Sequence, residues 1–139
     1  MLDRIVLLFA IAILITVGVV VVRTWSARKA HAVKDNAPAW DALGAQPDGR
    51  RTLIAFSTPS CAACHKAQAP AIDLATRQLG ADQVRIIKVD AAEQPEAARA
   101  FGILTVPSTV ILGAKGKQIV AINQGFTPSA RLVEQLQSA

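Results

Sequence analysis

Thr52-Leu-Ile-Ala-Phe56, Ser57-Thr-Pro-Ser60 and Cys61-Ala-Ala-Cys64-His65 follow one another without a gap, and their order decides the fold. The first is an apolar, partly β-branched run of strand length that the Ser/Thr/Pro cluster stops at once, so it reads as a central strand entering a loop. From Cys61 to Gln78 the spacing predicts a helix. Ala67, Ile72, Ala75 and Leu79 supply an apolar stripe, while Lys66, Asp73 and Arg77 can face water. Ser60 is the expected N-cap, and Pro70 is expected to bend the helix because it lacks an N–H and crowds the preceding turn. Both cysteines are thereby placed where a strand feeds a helix.

Downstream, Gly80-Ala-Asp82 breaks the helix and Val84-Arg-Ile-Ile-Lys-Val89 reads as a second strand ended by Asp90. Pro95 to Phe101 reads as a short helix stopped by Gly102. Ser108-Thr-Val-Ile-Leu112 and Gln118-Ile-Val-Ala-Ile122 flank Gly113-Ala-Lys-Gly116 and read as an antiparallel hairpin. Pro128 opens a final helix whose Leu132, Val133 and Leu136 can cover a sheet face. The order β-α-β-α-β-β-α predicts an α/β domain: a mixed sheet flanked by helices.

The cysteines bound the chemistry. Cys61 and Cys64 are the only two in the chain and lie within disulfide reach if they share a helix start. There the unpaired amides and the positive helix end favour a Cys61 thiolate, making Cys61 the nucleophile and Cys64 the residue that resolves a mixed disulfide. Three other readings stand beside this one. A zinc site would need more ligands than His31 and His65 can add. Buried cysteines can simply fill space. Cys61-Ala-Ala-Cys64-His65 also has the C-x-x-C-H form of covalent haem attachment, although the strand context differs and Met1 is the only methionine.

From about Arg51 to Gln137 the sequence resembles the thioredoxin superfamily. The resemblance rests on Leu53-Ile-Ala-Phe56 before Cys61-Ala-Ala-Cys64, on Ile86-Ile-Lys-Val-Asp90, on Phe101-Gly-Ile-Leu-Thr105-Val106-Pro107, and on Asn123-Gln-Gly125-Phe126. It implies a cis bond before Pro107, a substrate-facing rim of Thr105, Val106, Pro107 and Gly125, and activity with no bound cofactor. Departures accompany it. Ser60 replaces the family's usual Trp, Ala62-Ala63 replaces Gly-Pro, and Ala55 and Ile86 stand where a buried acid and a lysine are common. Pro70 falls one position late.

The N-terminal region is different in kind. Ile5 to Val22 carries no charge, and Thr16 is its only polar side chain, so it reads as one transmembrane helix preceding the domain. A cleaved signal peptide is the main rival, with Ala30-His31-Ala32 as a small-x-small site. Arg23, Arg28 and Lys29 lie between that site and the apolar run, which fits an uncleaved anchor better. The chain thus divides into a short flank (1–4), a transmembrane helix (5–22), a basic stalk with a linker or lead-in element (23–50), and a thioredoxin-like domain (51–139).

Charge agrees with that division. Residues 1–34 hold five Lys/Arg against one acid, and residues 35–139 hold ten against nine. The excess flanks the apolar run, and with four Phe, two Trp and no Tyr a base-stacking surface is not expected, so nucleic acid is excluded as a partner. The positive-inside rule favours the cytoplasmic side for the domain, while the extracytoplasmic side would suit many membrane-bound thiol oxidoreductases. The expectation is a membrane-tethered, single-pass protein thiol-disulfide oxidoreductase acting as a reductase on cysteine-containing proteins or a membrane redox partner. The alternative is a non-enzymatic thioredoxin-like module that assembles a membrane complex.

Overall fold

The computed structural model describes residues 7, 11–21 and 38–139. The chain divides into two units, Met1–Val33 and Lys34–Ala139. In the first, residues 11–21 are helical with exposed apolar side chains, and the Thr16 hydroxyl donates to the Ala12 carbonyl at 2.7 Å, as expected of a hydroxyl in an apolar helix. No helix among the described residues is long and apolar enough to cross a membrane. The remainder of the expected 5–22 span, and residues 23–37 of the expected stalk, lie outside the described residues.

The second unit is built on a four-stranded sheet in the order β2-β1-β3-β4. Its strands are β1 (Arg51–Ser57), β2 (Val84–Asp90), β3 (Ser108–Leu112) and β4 (Ile119–Gln124). β1 runs parallel to β2 and antiparallel to β3, which pairs antiparallel with β4. The sheet is therefore mixed, as the element order requires. The helices are α1 (Trp40–Leu43), α2 (Ala69–Leu79), α3 (Pro95–Ala100) and α4 (Ser129–Gln137), with a π-helical turn, Cys64–Gln68, leading into α2.

Central placement of β1 follows from its composition. Leu53, Ile54 and Phe56 are all buried, which only a strand covered on both faces permits. On one face Leu53 packs with Ile72 and Ala75 of α2, Ile111, and Leu132 and Leu136 of α4. On the other, the Phe56 ring meets Phe101, just beyond α3, at a centroid distance of 6.0 Å. Each fully buried aliphatic or aromatic side chain contributes about 1.5–3 kcal/mol through burial.

β4 extends two residues past the expected Ile122, to Gln124. Apolar alternation could not mark Asn123 and Gln124, because polar partners continue the pairing there. Asn123 Nδ2 donates to Thr109 Oγ1 at 3.0 Å and to Gln135 Oε1 at 2.8 Å, and Gln135 Nε2 returns a bond to Asn123 Oδ1 at 2.9 Å. A register shift at Ile111/Leu112 places an additional residue in β4.

The folded unit also takes in α1, ahead of Arg51. Trp40 is buried and its indole Nε1–H donates to the Gly116 carbonyl at 2.7 Å, fastening α1 to the β3–β4 turn. Gly116 has φ +63°, and a Cβ there would fall 2.5 Å from Pro47 Cβ and 2.7 Å from Trp40 Cζ2. Only glycine allows both the turn and the close approach of the indole.

Candidate redox site

The end of β1 delivers the chain to Thr58-Pro59-Ser60, and the Cys61 amide closes the turn by donating to the Thr58 carbonyl at 3.1 Å. Ser60 is not the cap the sequence suggested. Cys61 Sγ accepts the Cys64 amide at 3.1 Å, three residues on, where an N-cap side chain normally accepts. The sulfur thus occupies the positive end of the helix.

Cys61 and Cys64 are joined as a disulfide, with Cα atoms 5.3 Å apart. Cys61 is half-buried and Cys64 is 5% exposed, so only the first sulfur is open to attack from solvent. The paired sulfurs fit the dithiol reading of the motif. His65 Nε2 lies 3.3 Å from the Pro59 carbonyl and donates to it when that nitrogen carries the proton.

The expected uninterrupted helix contains a wide turn. The Ala69 amide bonds to the Cys64 carbonyl five residues back, and the regular α-helix resumes from Ala69. Pro70 has no N–H to donate and its ring crowds the carbonyl four residues back, so the ladder widens just before it. One extra residue accommodated in this way matches the proline's late position. Cys64, Gln68, Ile72 and Ala75 then share the buried face, and Gln68 takes the inner position expected of Ala67.

The other sequence-derived site residues lie in two loops that meet. The Val106-Pro107 bond is cis. Thr105 is exposed, Val106 half-buried and Pro107 buried, and the Thr105 carbonyl accepts the Ser108 hydroxyl at 2.6 Å. Gly125, at φ +91°, donates its amide to the Pro107 carbonyl at 2.9 Å. Pro107 and Cys64 line a cavity of about 210 Å³ together with Ala55, Gln68, Ile86 and Lys88. Ala55 and Ile86, which stand where the family commonly has an acid and a lysine, thus border the space beside Cys64. Thr105 and Val106 instead line a groove of about 360 Å³ that reaches Thr58 and Arg99.

The thioredoxin family model matches residues 31–138. The chain belongs to the thioredoxin family. Bacillus subtilis thioredoxin is 32% identical over 82 residues, covering 59% of this chain and 75% of that protein. Thioredoxin 1 of Synechococcus elongatus is 33% identical over 84 residues, covering 60% and 75%. The oxidised mitochondrial thioredoxin 3 of Saccharomyces cerevisiae shares the fold, with a TM-score of 0.57 at 19% identity over 79% of this chain and 98% of that one. Thioredoxin-family membership together with the paired Cys61 and Cys64 makes the chain a thiol-disulfide oxidoreductase.

Two glutamines of the site were missed by sequence reasoning. Gln124 holds the loop before Pro107: its Nε2 donates to the Gly102 carbonyl at 2.8 Å, and its Oε1 accepts the Leu104 amide at 3.1 Å and the Ser108 hydroxyl at 3.3 Å. Gln68 pairs with the backbone of Thr127. The late proline was the one sequence signal that the helix held an extra residue.

Proposed function

We propose that this chain is a membrane-tethered protein disulfide reductase. The observation that carries the reading is the asymmetry of the pair: a half-buried Cys61 at the helix start beside a buried Cys64 already within bonding reach. In the reduced protein, the Cys61 thiolate attacks one sulfur of a substrate disulfide. A Cys61–substrate bond forms and the other substrate sulfur leaves as a thiolate that takes up a proton. Cys64, once deprotonated, attacks Cys61 Sγ and releases the second substrate thiol. Two electrons pass to the substrate, and an external dithiol reductant restores the pair.

Thr105, Val106, Pro107 and Gly125 form the substrate-facing rim. Neither the amide nor the carbonyl of Val106 has a backbone partner among the described residues, which suits pairing with an extended substrate segment. With Ala55 in place of an acid, deprotonation of Cys64 falls to water, the substrate or another group. The apolar run from Ile5 to Val22 and the basic residues after it support a tether, which raises the effective concentration of membrane-bound partners. The same charges favour a cytoplasmic domain.

Insulin reduction by the full-length chain, with dithiothreitol as the external reductant, tests the activity. The unmutated chain should exceed the free-thiol background, and Cys61→Ser should fall to it. Activity no greater than background in the unmutated chain would favour a non-enzymatic binding module. A strongly oxidising measured potential would reverse the direction of electron flow and retain the exchange chemistry.

A further inference from the structure

Gln68 lies on the wide turn four residues after Cys64 and is 3% exposed. Both polar atoms of its carboxamide are engaged: Nε2 donates to the Thr127 carbonyl at 3.0 Å and Oε1 accepts the Thr127 amide at 2.9 Å. A planar amide meets a backbone amide and carbonyl in the same way that two strands meet. A buried carboxamide is tolerated only when its donor and acceptor are both satisfied, and an aliphatic side chain would otherwise serve at this inner position.

Thr127 lies two residues beyond Gly125, in the short connection between β4 and α4. Its amide and carbonyl have no backbone partner among the described residues, and Pro128 after it has no N–H to give. Gly125 is fixed in turn to Pro107. A continuous chain of bonds therefore runs from the helix carrying Cys64, through Gln68 and Thr127, to Gly125 and the cis-Pro loop.

We infer that Gln68 is a positioning residue, and that it holds the Gly125–Thr127 rim in register with the cysteine pair so that extended polypeptide disulfides are bound. The inference rests on the proposed reductase activity. A small disulfide without a peptide backbone needs only the sulfurs, so Gln68 should matter for the first class of substrate and not the second. The conserved volume of Gln68→Met removes both hydrogen bonds without opening a large void.

The test compares the full-length chain with Gln68→Met, both pre-reduced with dithiothreitol, on insulin and on cystamine. Loss of two ordinary hydrogen bonds should raise the KM for insulin about tenfold, with kcat and the cystamine rate within about twofold of the unmutated values. Amide hydrogen exchange should quicken at Gly125 and Thr127 and stay unchanged at Leu53 and Ile111, which shows that the variant is folded. Equal losses on both substrates, no loss on either, or unaltered exchange at Gly125 and Thr127 would overturn the role of Gln68. An unmutated chain inactive on both substrates would instead overturn the reductase reading on which it rests.

Discussion

The Gly125 amide donates to the Pro107 carbonyl at 2.9 Å, so the β4–α4 connection and the loop preceding β3 form one backbone-bonded rim. A Cβ on Gly125 would meet no protein atom within 4 Å, yet the residue sits at φ +91°. Gly125→Ala should therefore cost about 1 kcal/mol of stability through backbone strain alone. On the proposed rim the new methyl group would stand in the path of a substrate backbone, so the rate on insulin should fall by more than the lost stability explains. Thermal melts and insulin reduction, measured together, separate the two effects; equal insulin rates for variant and unmutated chain would remove Gly125 from the rim.

Trp40 contributes in two ways, by burial and by its bond to Gly116. Trp40→Phe keeps most of the burial and leaves the Gly116 carbonyl without its donor, so about 1–3 kcal/mol should be lost. Gly116→Ala should cost more than Trp40→Phe, since the added carbon collides with Pro47 and Trp40 at a positive φ. Urea unfolding of the full-length chain checks the order. A Gly116→Ala protein as stable as the unmutated one would show that α1 is not fastened at this turn.

The Arg50 guanidinium beside Asp48, bonded to it at 2.6 Å, holds the Asp48 carboxyl below its ordinary value. A folded value below the unfolded one means that the pair stabilises the fold above the unfolded pKa, and that this contribution disappears as pH falls through the folded pKa. Asp48 is exposed to solvent screening, so the effect on stability is small. Carbon-detected titration should place the Asp48 midpoint below that of an unpaired aspartate, and Arg50→Ala should return it upward. An unchanged midpoint in Arg50→Ala would assign the shift elsewhere.

Membrane attachment has its own test. In cells making the full-length chain, the protein should remain in the membrane pellet after an alkaline carbonate wash and leave it in detergent. Release by carbonate alone would mean that the Ile5–Val22 segment does not anchor the chain.

The sheet was legible because β1, β2 and β3 are short apolar runs closed by turn residues, and Ser108–Leu112 has the bounds expected of it. The pairing of Cys61 with Cys64 was legible through spacing, and the cis bond before Pro107 through resemblance. Gln68 and Gln124 were not, because their roles depend on backbone groups 59 and up to 22 residues away in sequence. The wide turn at Cys64–Gln68 was equally hidden: an inserted residue leaves the local propensity helical and changes only the hydrogen-bond step. Trp40 read as part of a linker because α1 is too short to show periodicity, and its partner Gly116 is 76 residues away.

Mass analysis of full-length Cys64→Ser, pre-reduced and mixed with insulin, decides whether Cys61 is the attacking thiol. Cys61 should attack and then stall, leaving one insulin chain disulfide-linked to Cys61, whereas the unmutated chain should end as the Cys61–Cys64 disulfide with free insulin thiols. Absence of any Cys61-linked adduct, with the unmutated chain still fully reduced, would mean that Cys61 does not attack protein disulfides.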